Sequence, residues 1–247
     1  MFATTRGLVL REVRYKEADR ILTVLTEDRG KLTVKARGAL RKGSRLGAAS
    51  QALCWSEFTL FGNKGRWTAD EGSSLEQFLG LRDDIAKLAL GAYFAELLDT
   101  VCAEEMPDKP ALQLGLNALF ALSRGLYDNE HIKSVFEMRL MALEGFLPET
   151  DGCGVCGRRD VLEPMLALDD GMVHCRTCAS ASAGASLPLD GESLAAIRHI
   201  VGAAAKKEFS FHIPEPSAEK LSRACEAYAR RQLDRGFSSL DYYKSVK

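Results

Sequence analysis

The sequence predicts a mixed fold: a small all-β barrel of OB type over residues 1–79, then a mostly α-helical domain over 80–247 with an inserted four-cysteine zinc knuckle at about 150–180. Three observations predict it. Short apolar runs bounded by turn residues fill the first ~80 residues. The apolar spacing lengthens to three and four near residue 75. Four cysteines beyond residue 150 stand at metal-ligand spacing.

The first apolar run is Gly7-Leu8-Val9-Leu10 and the second is Ile21-Leu22-Thr23-Val24-Leu25-Thr26, with Glu27-Asp28-Arg29-Gly30 as the turn beyond it. The next strand, 31–37, alternates strictly. Leu32, Val34 and Ala36 point one way; Lys31, Thr33, Lys35 and Arg37 point the other. One face enters a core and the other presents a row of positive charge. The flexible loop 38–47 adds Arg41, Lys42 and Arg45. Two more strands lie near 55–61 and 65–69, joined by the turn Gly62-Asn63-Lys64-Gly65. About five short strands in ~75 residues suit a closed or half-open barrel. Such barrels bind single strands along a basic face that bears aromatic rings. Trp55, Phe61 and Trp67 are available for stacking on bases, although such rings more often pack in a core or at its rim.

Beyond residue 75 the pattern is helical. Ile85, Leu88, Ala89, Ala92, Leu97 and Val101 predict a long amphipathic helix over roughly 83–105, stopped by Met106-Pro107-Asp108-Lys109-Pro110. Leu112, Leu116, Leu119 and Phe120 mark a second helix that ends before Asp128. Ile132, Val135, Phe136, Leu140 and Leu143 mark a third, closed by Gly145 and Pro148. After the cysteine segment and a small-residue loop over 179–185, helices are expected at 193–205 and 217–233. Ser217 is the expected N-cap of the last one.

The cysteines are Cys153-x2-Cys156, eighteen residues, then Cys175-x2-Cys178. A two-residue gap turns both sulfurs of a pair toward one point, and flanking glycines permit the tight backbone. Two such pairs at this separation make a tetrahedral zinc-thiolate site, against the alternatives of disulfides or free thiols. Four thiolates fill the tetrahedron and leave no open position for a substrate, so one structural Zn2+ per chain is expected rather than a catalytic one. His174, beside Cys175, is expected as a solvent-facing loop residue. The deaminase pattern needs a His-x-Glu that is missing here.

Other catalytic patterns are missing too. There is no phosphate-binding glycine loop and no nucleophile elbow, and His131, His174, His199 and His212 are scattered. Carboxylates could assemble a nuclease centre from a distance, but no motif supports one. The residues alone thus leave a nuclease open, and nothing in them points to a small-molecule substrate.

Charge adds a direction. The 247 residues carry a formal net charge of −1, yet residues 1–45 hold twelve Lys/Arg against five Asp/Glu, a net +7 that leaves −8 for the rest. A basic head is the footprint of a segment that meets a polyanion, the alternative being a solvated charged face. Seven cysteines, an odd number, argue for a reducing compartment. The first residues lack the pattern of a signal peptide and no apolar run reaches the ~18–20 residues of a membrane span. A soluble, cytoplasmic protein without a membrane partner is expected.

Taken whole, the sequence resembles the bacterial DNA-repair RecO family. The likeness is carried by Glu17-Ala18-Asp19-Arg20-Ile21-Leu22, the continuous stretch from there to Gly38-Ala39, and Ser44-Arg45-Leu46-Gly47-Ala48. It continues in Phe136-Glu137-Met138-Arg139-Leu140-Met141-Ala142-Leu143-Glu144-Gly145-Phe146-Leu147-Pro148 and Cys153-Gly154-Val155-Cys156-Gly157. The resemblance implies a non-enzymatic, nucleoid-associated recombination mediator. Such proteins bind single- and double-stranded DNA, anneal complementary strands and work with RecR. They engage the acidic C-terminal tail of the single-stranded DNA-binding protein SSB, and thereby help load RecA. On this reading Lys31, Lys35, Arg37, Arg41, Lys42 and Arg45 contact DNA, with Arg14 and Arg20 as outer contacts. Lys133 and Arg139, on the helix over 132–143, are the candidate cations of a tail-binding groove, unless Arg139 pairs with a neighbouring Glu. The alternative from another class is a zinc-ribbon transcriptional regulator reading duplex DNA, for which no recognition helix is visible.

Overall fold

The structure is a computed structural model that describes residues 2–63 and 65–247. Lys64, part of the turn expected at 62–65, lies outside the described residues. By packing, the chain falls into two compact units, 1–124 together with 237–247, and 125–236.

In the first unit, β1 (Phe2–Tyr15), β2 (Asp19–Thr26), β3 (Gly30–Ala36), a single helical turn α1 (Leu46–Ala49), β4 (Trp55–Asn63) and β5 (Arg66–Glu76) form a closed barrel. Its order is β1-β2-β3-β5-β4, and β4 closes back onto β1. Closure is possible because β1 is long and irregular. Its register shifts between Val9 and Arg11, and the strand pairs β4 with its first half and β2 along most of its length. Val34–Ala36 of β3 pairs in parallel with Trp67–Ala69 of β5. The alternation expected for β3 is present. Leu32, Val34 and Ala36 pack with Val9, Leu22, Val24, Phe58 and Leu60 in the barrel core, while Thr33 is exposed. The barrel is thus the OB-type element that the sequence predicts.

The helix expected over 83–105 is shorter: α2 runs Ile85–Val101, started by the Asp84 carboxylate accepting from the Ala86 and Lys87 N–H groups. Its tail is drawn into the barrel instead. Lys31 and Glu104 form an isolated β-bridge, and Glu105 N donates to Lys31 O at 3.1 Å. Leu90, Tyr93, Phe94, Leu97 and Leu98 are all buried, because α2 is covered on several sides. Its neighbours are β1, α3 (Lys109–Arg124) and the terminal helix Ser238–Val246. Pro110 lies in the first turn of α3, where a missing N–H costs little, so it begins that helix rather than stopping α2. Packing therefore groups these three helices with the barrel, although composition changes near residue 75.

Gly30 shows how tight the junction between β3 and the 102–106 tail is. Its φ is +68°, and a Cβ there would stand 2.3 Å from the backbone N and O of Met106. Gly30→Ala should therefore destabilise by at least about 2 kcal/mol, lowering Tm by roughly 4–8 °C. A melt unchanged from the parent protein would contradict the junction.

The second unit packs α4 (Asn129–Leu143), α6 (Gly191–Gly202) and α7 (Ser217–Gln232) against one another. Between α4 and α6 the chain forms a small antiparallel sheet, order β7-β6-β8, from β6 (Pro164–Ala167), β7 (Val173–Cys175) and β8 (Ser186–Pro188), with α5 (Arg176–Ala181) after β7. Strands of three or four residues are too short to leave a periodic signal, so sequence reading misses them. Ser217 is not the N-cap of α7. Pro216 holds that position, and the Ser217 hydroxyl donates to Asp190 Oδ2, tying α7 to the start of α6. Among the described residues no helix is long and apolar enough to cross a membrane.

Candidate nucleic-acid interface and metal centre

The residues expected to contact DNA divide into two groups. Arg37, Arg41, Lys42, Arg45 and Arg14 are exposed. Arg37 is held by its backbone, whose N–H donates to Ala69 O across the β3–β5 seam. Gly38 turns the chain at φ +63°, and its N–H donates to Asp19 Oδ1 at 2.8 Å. That bond, followed by the Lys35 ammonium 3.0 Å from Asp19 Oδ2, holds the Asp19 carboxyl below its ordinary pKa. The basic loop is thus anchored at its base while its cations project. Arg45 pairs with Glu71 at 2.8 Å, but both side chains are well exposed, so water and salt weaken the pair.

Lys31, Lys35 and Arg20 form the second group, and here the expected row of free positive charge is corrected. Lys31 Nζ bonds the Asp99 carbonyl and pairs with its carboxylate at 3.1 Å, leaving its side chain 14% exposed. Arg20 pairs with Glu12 and donates to Ser50 Oγ at 2.8 Å and Gly47 O at 3.2 Å. Lys35 is partly neutralised by Asp19. These three cations brace the barrel. Alternation reveals the face of Lys31 and Lys35, but not the carboxylates that folding brings to it.

Among the aromatic candidates, Phe61 is partly exposed and meets the exposed Phe2 ring at 5.1 Å. Trp67 packs against the barrel core with the Arg29 guanidinium 5.4 Å over its ring, and Trp55 is half-buried. Sequence reading misses Tyr15. It is 42% exposed, with the Lys16 and Lys35 ammonium groups 5.5 and 5.4 Å from its ring centre. The β1–β2 register, Tyr15 opposite Asp19, places it there.

In the second unit the four cysteines converge. The sulfurs of Cys153, Cys156, Cys175 and Cys178 all lie within 4.8 Å of one another, and Cys156 Sγ is 4.0 Å from Cys175 Sγ. A tetrahedron with metal–sulfur bonds of ~2.3 Å has edges of roughly 3.8 Å, so the set fits a tetrahedral metal. Local structure builds each half. Cys153 N donates to Arg158 O and Gly157 N to Cys153 O, closing the first knuckle. Gly157 takes φ +71°. The second knuckle joins the end of β7 to the first turn of α5. The Cys175 N–H donates to Cys153 Sγ at 3.3 Å. Desolvation opposes ionisation of Cys153, but the N–H groups of Cys156, Cys175 and Val155 outweigh it and bring its pKa down to about 6. Cys178 is pushed up to about 12 by the hydrogen bond it shares with Cys175 and then by desolvation. Four thiols this close cannot all ionise without a cation among them.

Three further expectations are corrected here. His174 does not face solvent. It is 4% exposed, sits on β7 opposite Met165, and its Nε2 lies 3.3 Å from Asp170 Oδ2. Lys133 is 1% exposed, with its ammonium 3.1 Å from Glu137 Oε1 and 3.0 Å from Glu226 Oε2. Arg139 does not pair with a glutamate; it donates to the carbonyls of Ile200, Val201 and Ala203, capping the end of α6. Lys133 is held inside the unit, and Arg139, half-buried, is engaged with the end of α6. The buried positions of α4 outnumber the apolar ones that define its face, and sequence spacing alone hides that.

Two family models match the chain. One described as the N-terminal part of recombination protein O covers residues 1–78, and one described as its C-terminal part covers residues 82–241. The DNA repair protein RecO of Acetivibrio thermocellus is 32% identical over 247 residues, spanning 99% of this chain and 97% of its own. That of Caldicellulosiruptor bescii is 28% identical across 98% of both chains. That of Listeria monocytogenes is 35% identical over 151 residues, 61% of this chain and 59% of its own.

Proposed function

The chain belongs to the RecO family of DNA repair proteins, and from that premise we propose that it is a recombination mediator, not an enzyme, that binds single- and double-stranded DNA and anneals complementary strands. With RecR as partner it would help load RecA onto single strands coated by SSB, whose acidic tail it would engage. The functional division is taken at 1–79, which meets DNA, and 80–247, which carries one structural Zn2+ on Cys153, Cys156, Cys175 and Cys178. With the metal bound, the four thiolates would hold the two knuckles together and leave no position for a substrate.

One observation carries the DNA-binding reading. A closed OB-type barrel projects Arg37, Arg41, Lys42 and Arg45 from a loop anchored at its base, with the exposed Tyr15 ring at the neighbouring hairpin. Annealing needs the phosphate repulsion between two strands screened while the base edges stay free to pair. Exposed cations on a short loop do this by contacting phosphates and releasing counterions. Arg14 would add an outer contact. Lys31, Lys35 and Arg20 would contribute less to phosphate binding because each already faces a carboxylate.

The test is a titration of labelled strands across a range of salt. Replacing Arg37, Arg41 and Arg45 together by alanine should weaken binding at every sequence and flatten the log–log salt slope by about two units on single strands. Lys31→Ala should change the slope little while lowering stability. An unchanged slope in the triple variant would overturn the assignment of this loop.

A further inference from the structure

The register of the barrel sets out a row of outward-facing side chains that crosses every strand. Val13 of β1 lies opposite Ile21 of β2, Ile21 opposite Lys35 of β3, and Lys35 opposite Thr68 of β5. Thr68 is in turn opposite Phe61 of β4, and Phe61 is opposite Phe2 at the start of β1. Their neighbours along the strands, Leu22, Val34, Ala36, Leu60 and Ala69, are buried, so alternation turns the row outward. Strands lie about 4.8 Å apart, so the row runs about 24 Å around the barrel.

Both ends of the row are apolar, and cations flank it. Phe2 is 76% exposed and meets Phe61, itself 37% exposed, with ring centres 5.1 Å apart. At the other end Val13 is exposed, and the exposed Tyr15 ring stands one outward position beyond it. Exposed apolar groups gathered in this way mark a binding surface. Arg11 and Arg66 fall on one side of the row and Arg37 on the other. All three are exposed, and none has a side-chain partner among the described residues. Asp19 and Glu71, beside the row, are paired with Lys35 and Arg45, and the exposed Asp70 stands on the Arg37 side.

We propose that this row is a stacking track for single-stranded DNA, on which the Phe2–Phe61 pair holds one base by its face and Tyr15 another. The inference rests on the DNA-binding reading above and extends it to a choice between single strands and duplex. The basic loop contacts phosphates, which both forms of DNA present, and so gives either form affinity. A ring offers its face only to an unstacked base, and a duplex keeps its bases inside the stack, so the track favours single strands. Every base has a π-face, so the track carries no sequence preference. Its length is within the four or more nucleotides that one such barrel holds. The flanking charges choose a polyanion over a second copy of this chain. A twofold contact built on the same patch would bring the arginines of one copy against those of the other.

The test compares the parent protein with Phe2→Ala/Phe61→Ala and with Phe2→Leu/Phe61→Leu, which keeps apolar bulk but removes the rings. Labelled oligo-dT and a mixed-sequence duplex of equal length are titrated by fluorescence anisotropy at several salt concentrations. The alanine variant should bind oligo-dT about tenfold more weakly, the value of one stacked base. Its salt slope should be retained and its duplex affinity should stay within about twofold of the parent's. The leucine variant should lose most of the same affinity. Phe2→Ala alone, at the more exposed of the two positions, should act in the same direction and serves if the double variant folds poorly. Unchanged oligo-dT binding in the alanine variant, an equal loss on duplex, or full affinity in the leucine variant would overturn the track while leaving the DNA-binding reading intact. Failure of the parent protein to bind either DNA would overturn both. Concentration-dependent sedimentation of the parent protein that the alanine variant abolishes, with oligo-dT binding unchanged, would assign the pair to self-association and overturn the track.

Discussion

Cys153→Ser is expected to lower bound zinc below one per chain and to destabilise the second unit on the order of 4 kcal/mol, near the upper end for point changes and typical of losing a metal. The melting midpoint should fall by roughly 8–16 °C. The expectation follows from how the two knuckles are built. The strands of this segment are three or four residues long, and the first knuckle is closed by two backbone hydrogen bonds. Cys153 is also the most buried of the four sulfur ligands, and its sulfur accepts the N–H of Cys175 across the two knuckles. Losing it therefore breaks the ligand set and a bridge between the halves together. A metal bound only by the folded chain contributes its binding energy to folding. Removing the metal with a chelator should act in the same direction and expose the amides of Cys153, Gly154 and Gly157 to exchange. A fully metallated Cys153→Ser protein with the parent's melting midpoint would contradict a structural metal.

The second large effect is expected at Lys133. Lys133→Ala should cost about 3–5 kcal/mol, because it leaves Glu137, itself 0% exposed, as a buried carboxylate without its cation. Desolvation works against the charged ammonium, but Glu137, then Glu226 and Glu130, outweigh it and raise the Lys133 pKa above its ordinary value. The sign follows: the stabilisation is fully present below the unfolded-state pKa and is lost only as pH rises through the still more alkaline folded-state value. Replacing the pair together, Lys133→Met with Glu137→Leu, should recover much of the loss, since two matched apolar groups need no desolvation of charge. Denaturant midpoints of Lys133→Ala and of the double variant, each against the parent, measure this. A Lys133→Ala protein within about 1 kcal/mol of the parent would show that the buried pair contributes little.

Lys133 also marks where sequence reading ends. Its place on a helix beside Arg139 follows from periodicity, because Ile132, Val135, Phe136 and Leu140 repeat at helical spacing. Nothing local states that α7 brings Glu226 onto the same face, or that the end of α6 brings three carbonyls to Arg139. Spacing alone puts both on a surface, whereas Lys133 is buried and Arg139 lies half-buried against the end of α6. Lys31 and Arg20 repeat the lesson in the barrel. Strand alternation turns Lys31 away from the core correctly, yet Asp99 reaches it from α2, 68 residues later in the chain.

By itself the sequence determined what depends on near neighbours along the chain. Alternation of period two made the barrel strands, the change to helical spacing made the helices, and two Cys-x2-Cys pairs made a four-sulfur set that the fold brings to a geometry able to hold a metal. Those patterns act through one to four residues, a range over which the backbone itself sets the geometry. Only the tertiary structure decided which charges are free. A cation's availability depends on carboxylates and carbonyls delivered from remote segments, and ion pairing at about 3 Å is invisible to any local pattern. That is why Arg37, Arg41, Lys42 and Arg45 remain exposed while Lys31, Arg20, Lys133 and Arg139 hold the fold together.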